Sequence, residues 1–259
     1  MIASPEFAYA QVRLQARHGE RMSEADWRAL EGARSLARYL EQARRTSVRR
    51  WSEHLDAAMN SHEIEATLRR EADHSVREAA GWMPRGWRAA VGWLAVLPLL
   101  PVLEGILNGD DLPGWMSEDP LLATLSGGDP IGRRAIVARS FLAPLVTSDP
   151  GTRGLADLWS DHWKTLWPGG ESATPALTSF ATAVHRDLAA VSKAATSASG
   201  YAVRHGIERI CIRHLRTGAA TPVAAFAHLG LVFIDLERFR GEVIRRSLFT
   251  GAASVEEAA

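Results

Sequence analysis

Cysteine is nearly absent from the chain. The single cysteine, Cys211, excludes an internal disulfide. Because isoleucines 210 and 212 flank it, we expect a small buried hydrophobe rather than a reactive thiol. A chain of 259 residues buries enough surface to fold without disulfides or metals. Residues 1–7 lack the basic start and apolar core of a secretory signal, which predicts a cytoplasmic protein.

An excess of either charge is also lacking. Thirty basic and thirty acidic residues cancel, and every basic residue except Lys164 and Lys193 is an arginine. No segment is basic enough to indicate nucleic-acid binding through electrostatics. The charge pattern therefore predicts no nucleic-acid partner.

Strand-like alternation bounded by turns and clear internal repeats are lacking as well. Apolar residues recur instead at helical spacing along most of the chain. We therefore predict an all-α fold of multi-helix bundles packed into one elongated or funnel-like body. Residues 1–249 would form one domain, or an N-terminal bundle over 1–107 and a C-terminal bundle over 119–249. Residues 250–259 would be a flexible tail.

The positions of caps, prolines and glycines set the expected helix boundaries. Ser23 with Asp26 resembles a capping box and predicts a helix start. In the first third we expect a continuous helix over 24–45, a helix beginning near 48 and one from 61 to 81. In the middle we expect short helices over 119–125 and 131–147 and a helix over 155–167. In the last third we expect a helix opened by Pro175, an interruption at Ser199–Gly200, a helix closed by Gly218 and a last helix opened by Pro222.

One apolar run, over residues 89–107, is about long enough to cross a bilayer. Pro98 and Pro101 each remove a backbone donor, and Glu104 would lie inside the apolar zone. These residues favour a buried core helix with a proline break. A membrane-inserted or membrane-surface segment is the alternative.

Motifs that carry common chemistry are missing. The chain has no phosphate-binding loop, no nucleophile elbow and no paired-glycine dinucleotide fingerprint. Ser126-Gly127-Gly128-Asp129 is a turn without the lysine that phosphate binding needs. We therefore predict no catalytic, cofactor-binding or metal-binding residues and no cofactor.

Histidines beside acidic residues are the remaining candidates for chemistry. Glu71-x-x-His74 has the spacing of a di-iron ligand pair, but the chain has no second such motif, so a solvated polar face is favoured. His62 with Glu63 lacks the second histidine of a zinc-protease helix. Asp161-His162 is interpreted as a surface or helix-capping pair, with a catalytic dyad as the alternative.

Tryptophan is abundant, with nine residues in the chain. A base-stacking platform would need tryptophans interleaved with basic residues, and only Arg85-Gly86-Trp87-Arg88 has that pattern. We therefore expect the tryptophans to pack between helices or at an interface.

Two helical patterns stand in the N-terminal and C-terminal parts of the chain. The first is Tyr9-Ala10-Gln11-Val12-Arg13, a gap, and Ser23-Glu24-Ala25-Asp26-Trp27-Arg28-Ala29-Leu30, and it continues to Leu36, Leu40 and Thr46. The second is Asp235-Leu236-Glu237-Arg238-Phe239-Arg240. Together they resemble the first two helices and the last helix of the C/d subunit family of V- and A-type rotary ATPases. Arg238 departs from the family pattern, which has asparagine there.

The resemblance implies a non-catalytic subunit in ion or proton transport. Such subunits couple the central stalk to the membrane proteolipid ring, and both would be protein partners of this chain. Association with the membrane would be peripheral, on its inner face, rather than integral. The alternatives are a helical scaffold or adaptor of another membrane-associated complex, and an enzyme that uses the pairs Asp161/His162 or Glu71/His74.

Overall fold

The computed structural model describes the backbone of residues 5–111, 114–146, 154–192 and 197–256. It describes side chains over the same ranges, apart from 118, 130, 187–192, 197–202 and 250–256. Within these ranges the chain is helical and has no strand, so the predicted all-α fold is confirmed.

The α-helices differ widely in length, and short 3₁₀ turns join several of them. The α-helices are α1 (Ala8–Gly19), α2 (Glu24–Glu31), α3 (Leu36–Ala43), α4 (Arg49–Ser52), α5 (Ser61–Trp82), α6 (Arg88–Gly92), α7 (Leu100–Asn108), α8 (Pro120–Leu125), α9 (Pro130–Ala138), α10 (Leu155–Thr165), α11 (Gly170–Ala173), α12 (Pro175–Ser192), α13 (Ser197–Thr217) and α14 (Pro222–Glu256). The 3₁₀ turns are Pro5–Phe7, Arg85–Trp87, Trp93–Leu99, Gly114–Glu118 and Ala143–Leu145.

Side-chain caps explain where several helices begin. Ser23 and Asp26 form the predicted capping box at the start of α2, and Asn60 with Glu63 forms a second one before α5. The continuous helix predicted over 24–45 is wrong. The chain leaves helical geometry after Gly32, and the Ser35 side chain accepts a hydrogen bond from the backbone N–H of Arg38 and so starts α3 afresh.

The predicted proline break in the apolar run is confirmed. Pro98 lies in the 3₁₀ turn between α6 and α7, and Glu104 is exposed. The segment Arg85–Asn108 is long and apolar enough to cross a membrane by length and composition, with a mean hydropathy of 2.0. Only 44% of the most apolar stretch of 18 residues in this segment is buried, so part of the segment packs in the core and part faces outward.

Further boundaries differ from the prediction. The helix expected over 131–147 ends at Ala138, after which Ser140 caps a turn into a short 3₁₀ segment. The interruption expected at Ser199–Gly200 is absent, because α13 begins at Ser197 and includes both residues. Gly200 alone, at a cost of about 1 kcal/mol, does not end a helix of this length. Helix α14 continues to Glu256, into the segment expected to be a flexible tail.

Helix α14 belongs to both hydrophobic cores of the structure. Its first half, including Phe226 and Leu229, packs in a large core with α1, α5, α10, α12 and α13. Its second half, including Leu236 and Phe239, packs in a smaller core with α2, α3, α4 and the start of α5. Cys211 lies at the contact of α13 with α14, fully buried, and burial raises the pKa of its thiol to about 12. The predicted buried cysteine is thus confirmed.

The tryptophans pack between helices, as expected. Seven are buried, and Trp82 and Trp115 are partly buried. Trp93 and Trp159 each donate an indole hydrogen bond to the backbone carbonyl of the other, at 3.2 and 3.3 Å. This reciprocal pair fixes the apolar segment against α10.

We predict that Trp93→Ala lowers the free energy of unfolding by about 3–5 kcal/mol, because it leaves a cavity and removes an indole donor from a buried carbonyl. Tyr9→Ala is the control, because the Tyr9 ring is mostly exposed. Urea denaturation of both variants measures the difference. An unchanged midpoint for Trp93→Ala would contradict the assignment of Trp93 to the core.

Candidate functional site

The N-terminal and C-terminal parts of the chain meet through a buried ion pair. Arg21, just after α1, donates from Nε and Nη2 to the two carboxylate oxygens of Asp235 on α14, at 2.6 and 2.7 Å. Its Nη2 also donates to Glu208 of α13, at 3.0 Å. One guanidinium therefore joins three elements through a bidentate and a single contact, a geometry that arginine provides and lysine does not.

Burial makes this pair sensitive to the loss of either partner. Asp235 is 7% exposed, and burial raises the pKa of its carboxyl while Arg21 opposes the rise. Burial also disfavours the charged form of Arg21. The hydrogen bonds that Arg21 donates to Asp235 and Glu208 outweigh that effect and hold the pKa of the Arg21 guanidinium above its usual value. Arg21 is therefore the cation that pairs with the buried Asp235.

Arg238 makes a separate contact with α2. Its Nε donates to Glu31 at 2.6 Å, and its Nη1 donates to Glu24 at 2.7 Å. The guanidinium also lies over the Trp27 ring, 4.9 Å from its centroid. Arg238 therefore holds both ends of the short helix α2 on α14.

Arg246 binds the carboxyl end of α2. The side chain of this residue is 2% exposed, and it donates to the backbone carbonyls of Glu31 and Ala33 at 2.7 and 2.9 Å. It also pairs with Glu242 and lies over the Tyr39 ring. A cation at the end of a helix satisfies carbonyls that have no partner within the helix. The break between α2 and α3 thus depends on a residue more than 200 positions away.

Beside the contact of Arg21 with Asp235 is a cavity of about 280 Å³, and its wall contains buried hydrogen-bond donors. The indole Nε1 of Trp51, a residue 2% exposed, and the Nε of Arg50 have no hydrogen-bond partner. The Arg50 guanidinium stacks on the Trp51 ring at 4.9 Å, and burial lowers the pKa of Arg50. In the described part of the chain, Arg50 makes no ion pair with a carboxylate.

A buried histidine lies next to this group of arginines. His228 on α14 is 4% exposed, its Nδ1 has no hydrogen-bond partner, and its ring lies 6.5 Å from that of Trp82. Burial, with the positive charges of Arg50 and Arg21 adding to it, lowers the pKa of His228 to about 3. The imidazole is therefore neutral at physiological pH.

A second concave surface, which we call the α5 groove, lies on the other side of α5. Its volume is about 800 Å³. Residues of α5 form one wall, and the apolar segment, α8 and α10 form the others. The lining residues include Arg69, Arg70, Asp73, Arg77, Gly92, Trp93, Val96, Pro98, Leu99, Asp119, Leu121, Phe141, His162 and Leu166.

The acid–histidine pairs singled out in the sequence lie at exposed or partly exposed positions of α5 and α10. His74 is exposed, and a carboxylate oxygen of Glu71 lies 3.8 Å from Nε2 of His54. His162 packs edge-on against Trp93 with ring centroids 4.6 Å apart, and burial lowers its pKa. Asp161 is exposed. Among the described residues, no group of three potential metal ligands is close enough to hold an ion.

Three residues at or beside the contact with Asp235, namely Arg21, Arg50 and His228, are not predicted from the sequence. Arg21 lies in a loop, and Arg50 lies in a run of arginines at 44, 45, 49 and 50 that looks like a solvated surface. His228 interrupts the otherwise apolar stretch Val223–Phe233. A polar residue inside an apolar helix is a signal that could have marked this region.

Comparison with known proteins adds no relative. No protein-family model, curated protein or solved structure matches this chain.

We predict that Arg21→Met lowers the free energy of unfolding by about 3–5 kcal/mol, because it leaves Asp235 buried without its cation. Arg28→Met is the matched control, because Arg28 pairs with Glu24 on the surface and such pairs contribute at most about 1 kcal/mol. Chemical denaturation at pH 7 measures both. Equal losses in the two variants would contradict the assignment of a buried pair to Arg21.

We also predict that His228 makes stability depend on pH. The pKa of His228 is about 3 in the folded chain and about 6.5 when unfolded, so only the unfolded chain binds this proton as the pH falls below 6.5. The free energy of unfolding therefore falls by up to about 2 kcal/mol between pH 6.5 and 5. His228→Leu should lose this part of the pH dependence, as measured by urea denaturation at both pH values. The same slope in both proteins would refute the prediction.

Proposed function

We propose that the chain is a non-catalytic subunit of a V/A-type rotary ATPase, similar to the C/d subunits, which couples the central stalk to the proteolipid ring. One observation carries the proposal: the two segments that bear the resemblance pack against each other. Arg21 pairs with Asp235, and Arg238 pairs with Glu24 and Glu31. Two patterns more than 200 residues apart thus form one structural unit.

The departure from the family pattern has a physical explanation in this chain. Arg238 stands where the family has asparagine, and it faces the two carboxylates of α2. An arginine at this position pairs with both Glu24 and Glu31, whereas an asparagine would leave both without a cation from α14. The substitution therefore strengthens the contact between the two segments.

Stiffness also supports a coupling role. Helix α14 has 35 residues, which corresponds to about 52 Å at 1.5 Å per residue. It lies in both hydrophobic cores, so neither core can rotate freely relative to the other. Close-packed interiors transmit strain rather than absorb it, and a subunit that passes torque needs this property.

The outer face of α1 offers a surface for a partner. Tyr9 and Val12 belong to the family pattern, but they are 57% and 69% exposed and contribute little to the core. The apolar positions of α1 that do pack inward are Ala10 and Leu14. We therefore propose that Tyr9 and Val12 contact another subunit, and that the chain is cytoplasmic and bound peripherally to the membrane through its partners.

The test is a pull-down of the tagged full chain from native membranes in mild detergent, with mass spectrometry of the retained proteins. We expect proteolipid and central-stalk subunits in a fixed ratio. The double variant Tyr9→Ala/Val12→Arg should lose them. Ile131→Arg is the control, because Ile131 is an exposed apolar residue on a different helix.

The alternative outcomes are distinct. Recovery of a different membrane assembly would replace the proposal with the adaptor function. Recovery of no partner would overturn the subunit assignment. Equal recovery by the wild type and the double variant would overturn the assignment of the α1 face.

A further inference from the structure

The wall of the α5 groove is apolar on one side and charged on the other. Ala66, Arg70, Asp73 and Arg77 are spaced three or four residues apart and so lie on one face of α5, with Arg69 beside them. Apolar residues of the segment after α6 lie opposite, with Trp93, Val96, Pro98 and Leu99 among them. A concave surface of about 800 Å³ with apolar lining and a few polar groups has the size and character of a small-molecule site.

Among the described residues, one cation along the groove has no carboxylate partner. Arg69 donates to Asp119 at 2.9 Å, and Arg77 donates to Asp73 at 2.6 Å. Arg70 donates only to the Thr67 hydroxyl, at 3.0 Å, and has no carboxylate partner among the described residues. Burial lowers the pKa of His162 and so disfavours a positive charge on its imidazole. Three arginines against two aspartates leave a single positive charge, which is on Arg70.

The apolar wall belongs to the apolar segment Arg85–Asn108, and it combines the buried residues Trp93 and Val96 with residues that are partly exposed. Only 44% of the most apolar stretch of 18 residues in this segment is buried inside the protein, and Pro98 and Leu99 are among its partly exposed residues. Phe141, 58% exposed, adds an aromatic ring to the lining. Contiguous exposed apolar surface of this kind is typical of a binding site.

From this combination we propose that the α5 groove binds a single-chain amphiphile with one negative charge, a long-chain carboxylate. The alkyl chain lies along Val96, Pro98 and Leu99, and its removal from water drives binding. The carboxylate accepts hydrogen bonds from the Arg70 guanidinium, which the Thr67 hydroxyl already holds in place. This proposal does not depend on the rotary ATPase assignment.

Hexadecanoate below its aggregation concentration is the probe, titrated calorimetrically into the full chain at pH 8. We expect one molecule bound per chain, weaker binding of neutral hexadecanol and of acetate, and no binding of hexadecyltrimethylammonium. Anionic phospholipid vesicles form a separate arm. Binding to the vesicles without binding of hexadecanoate would assign the surface to a bilayer and overturn the proposal.

Two variants test the head and tail contacts separately. Arg70→Gln should weaken hexadecanoate binding about tenfold or more, because a charged hydrogen bond is lost, and should leave hexadecanol binding unchanged. Gly92→Leu should abolish binding of both probes. Gly92 is helical and lines the groove, and a Cβ atom placed there meets no atom within 4 Å, so the leucine occupies the groove without a clash.

Matched controls show whether the effects are local. Arg45→Gln removes an exposed arginine that does not line the groove, and Gly81→Leu adds the same side chain at another open glycine. Both should bind hexadecanoate as the wild type does. Equal binding by all four variants, or a failure of the wild type to bind, would overturn the proposal.

Discussion

The buried pair of Arg21 with Asp235 is the interaction on which the arrangement of the two chain parts depends. Moving two charges out of water costs several kcal/mol each, so the pair adds little stability by itself. Its geometry is demanding, however, because two nitrogens of one guanidinium must meet both carboxylate oxygens of Asp235 at once. The apolar contacts around it, such as Leu14 in one core and Phe239 in the other, supply the stability, and the pair specifies the register.

The same division between apolar stability and polar specificity recurs along α14. Arg238 and Arg246 fix the start and the end of α2, a helix of eight residues that is too short to persist by its own hydrogen bonds. The N-terminal third of the chain thus obtains its geometry from the C-terminal helix. In a coupling subunit, this arrangement would make the two parts move as one.

Helix type and approximate position could be predicted from the sequence, because they depend on local periodicity and on caps such as Ser23. The break between α2 and α3 could not be predicted, since it is stabilised by Arg246 from a distant part of the chain. The contact of Arg21 with Asp235 could not be predicted for a related reason. Arg21 and Arg50 look like surface arginines until the tertiary structure places them beside Asp235 and Trp51. The α5 groove depends on which face of residues 93–99 turns outward, and an apolar run without polar residues gives no periodicity from which to derive it.

Membership of α14 in both cores has a consequence during synthesis. The smaller core closes only when Phe239 packs against Tyr39 and Trp51, at ring distances of 5.7 and 6.0 Å. About 190 residues separate Trp51 from Phe239, and a ribosome takes about 10 to 40 s to add them. During that interval the apolar faces of α3 and α4 lack their partner. The nascent chain therefore exposes these apolar faces until α14 has been synthesised, so the smaller core forms late in the folding of the chain.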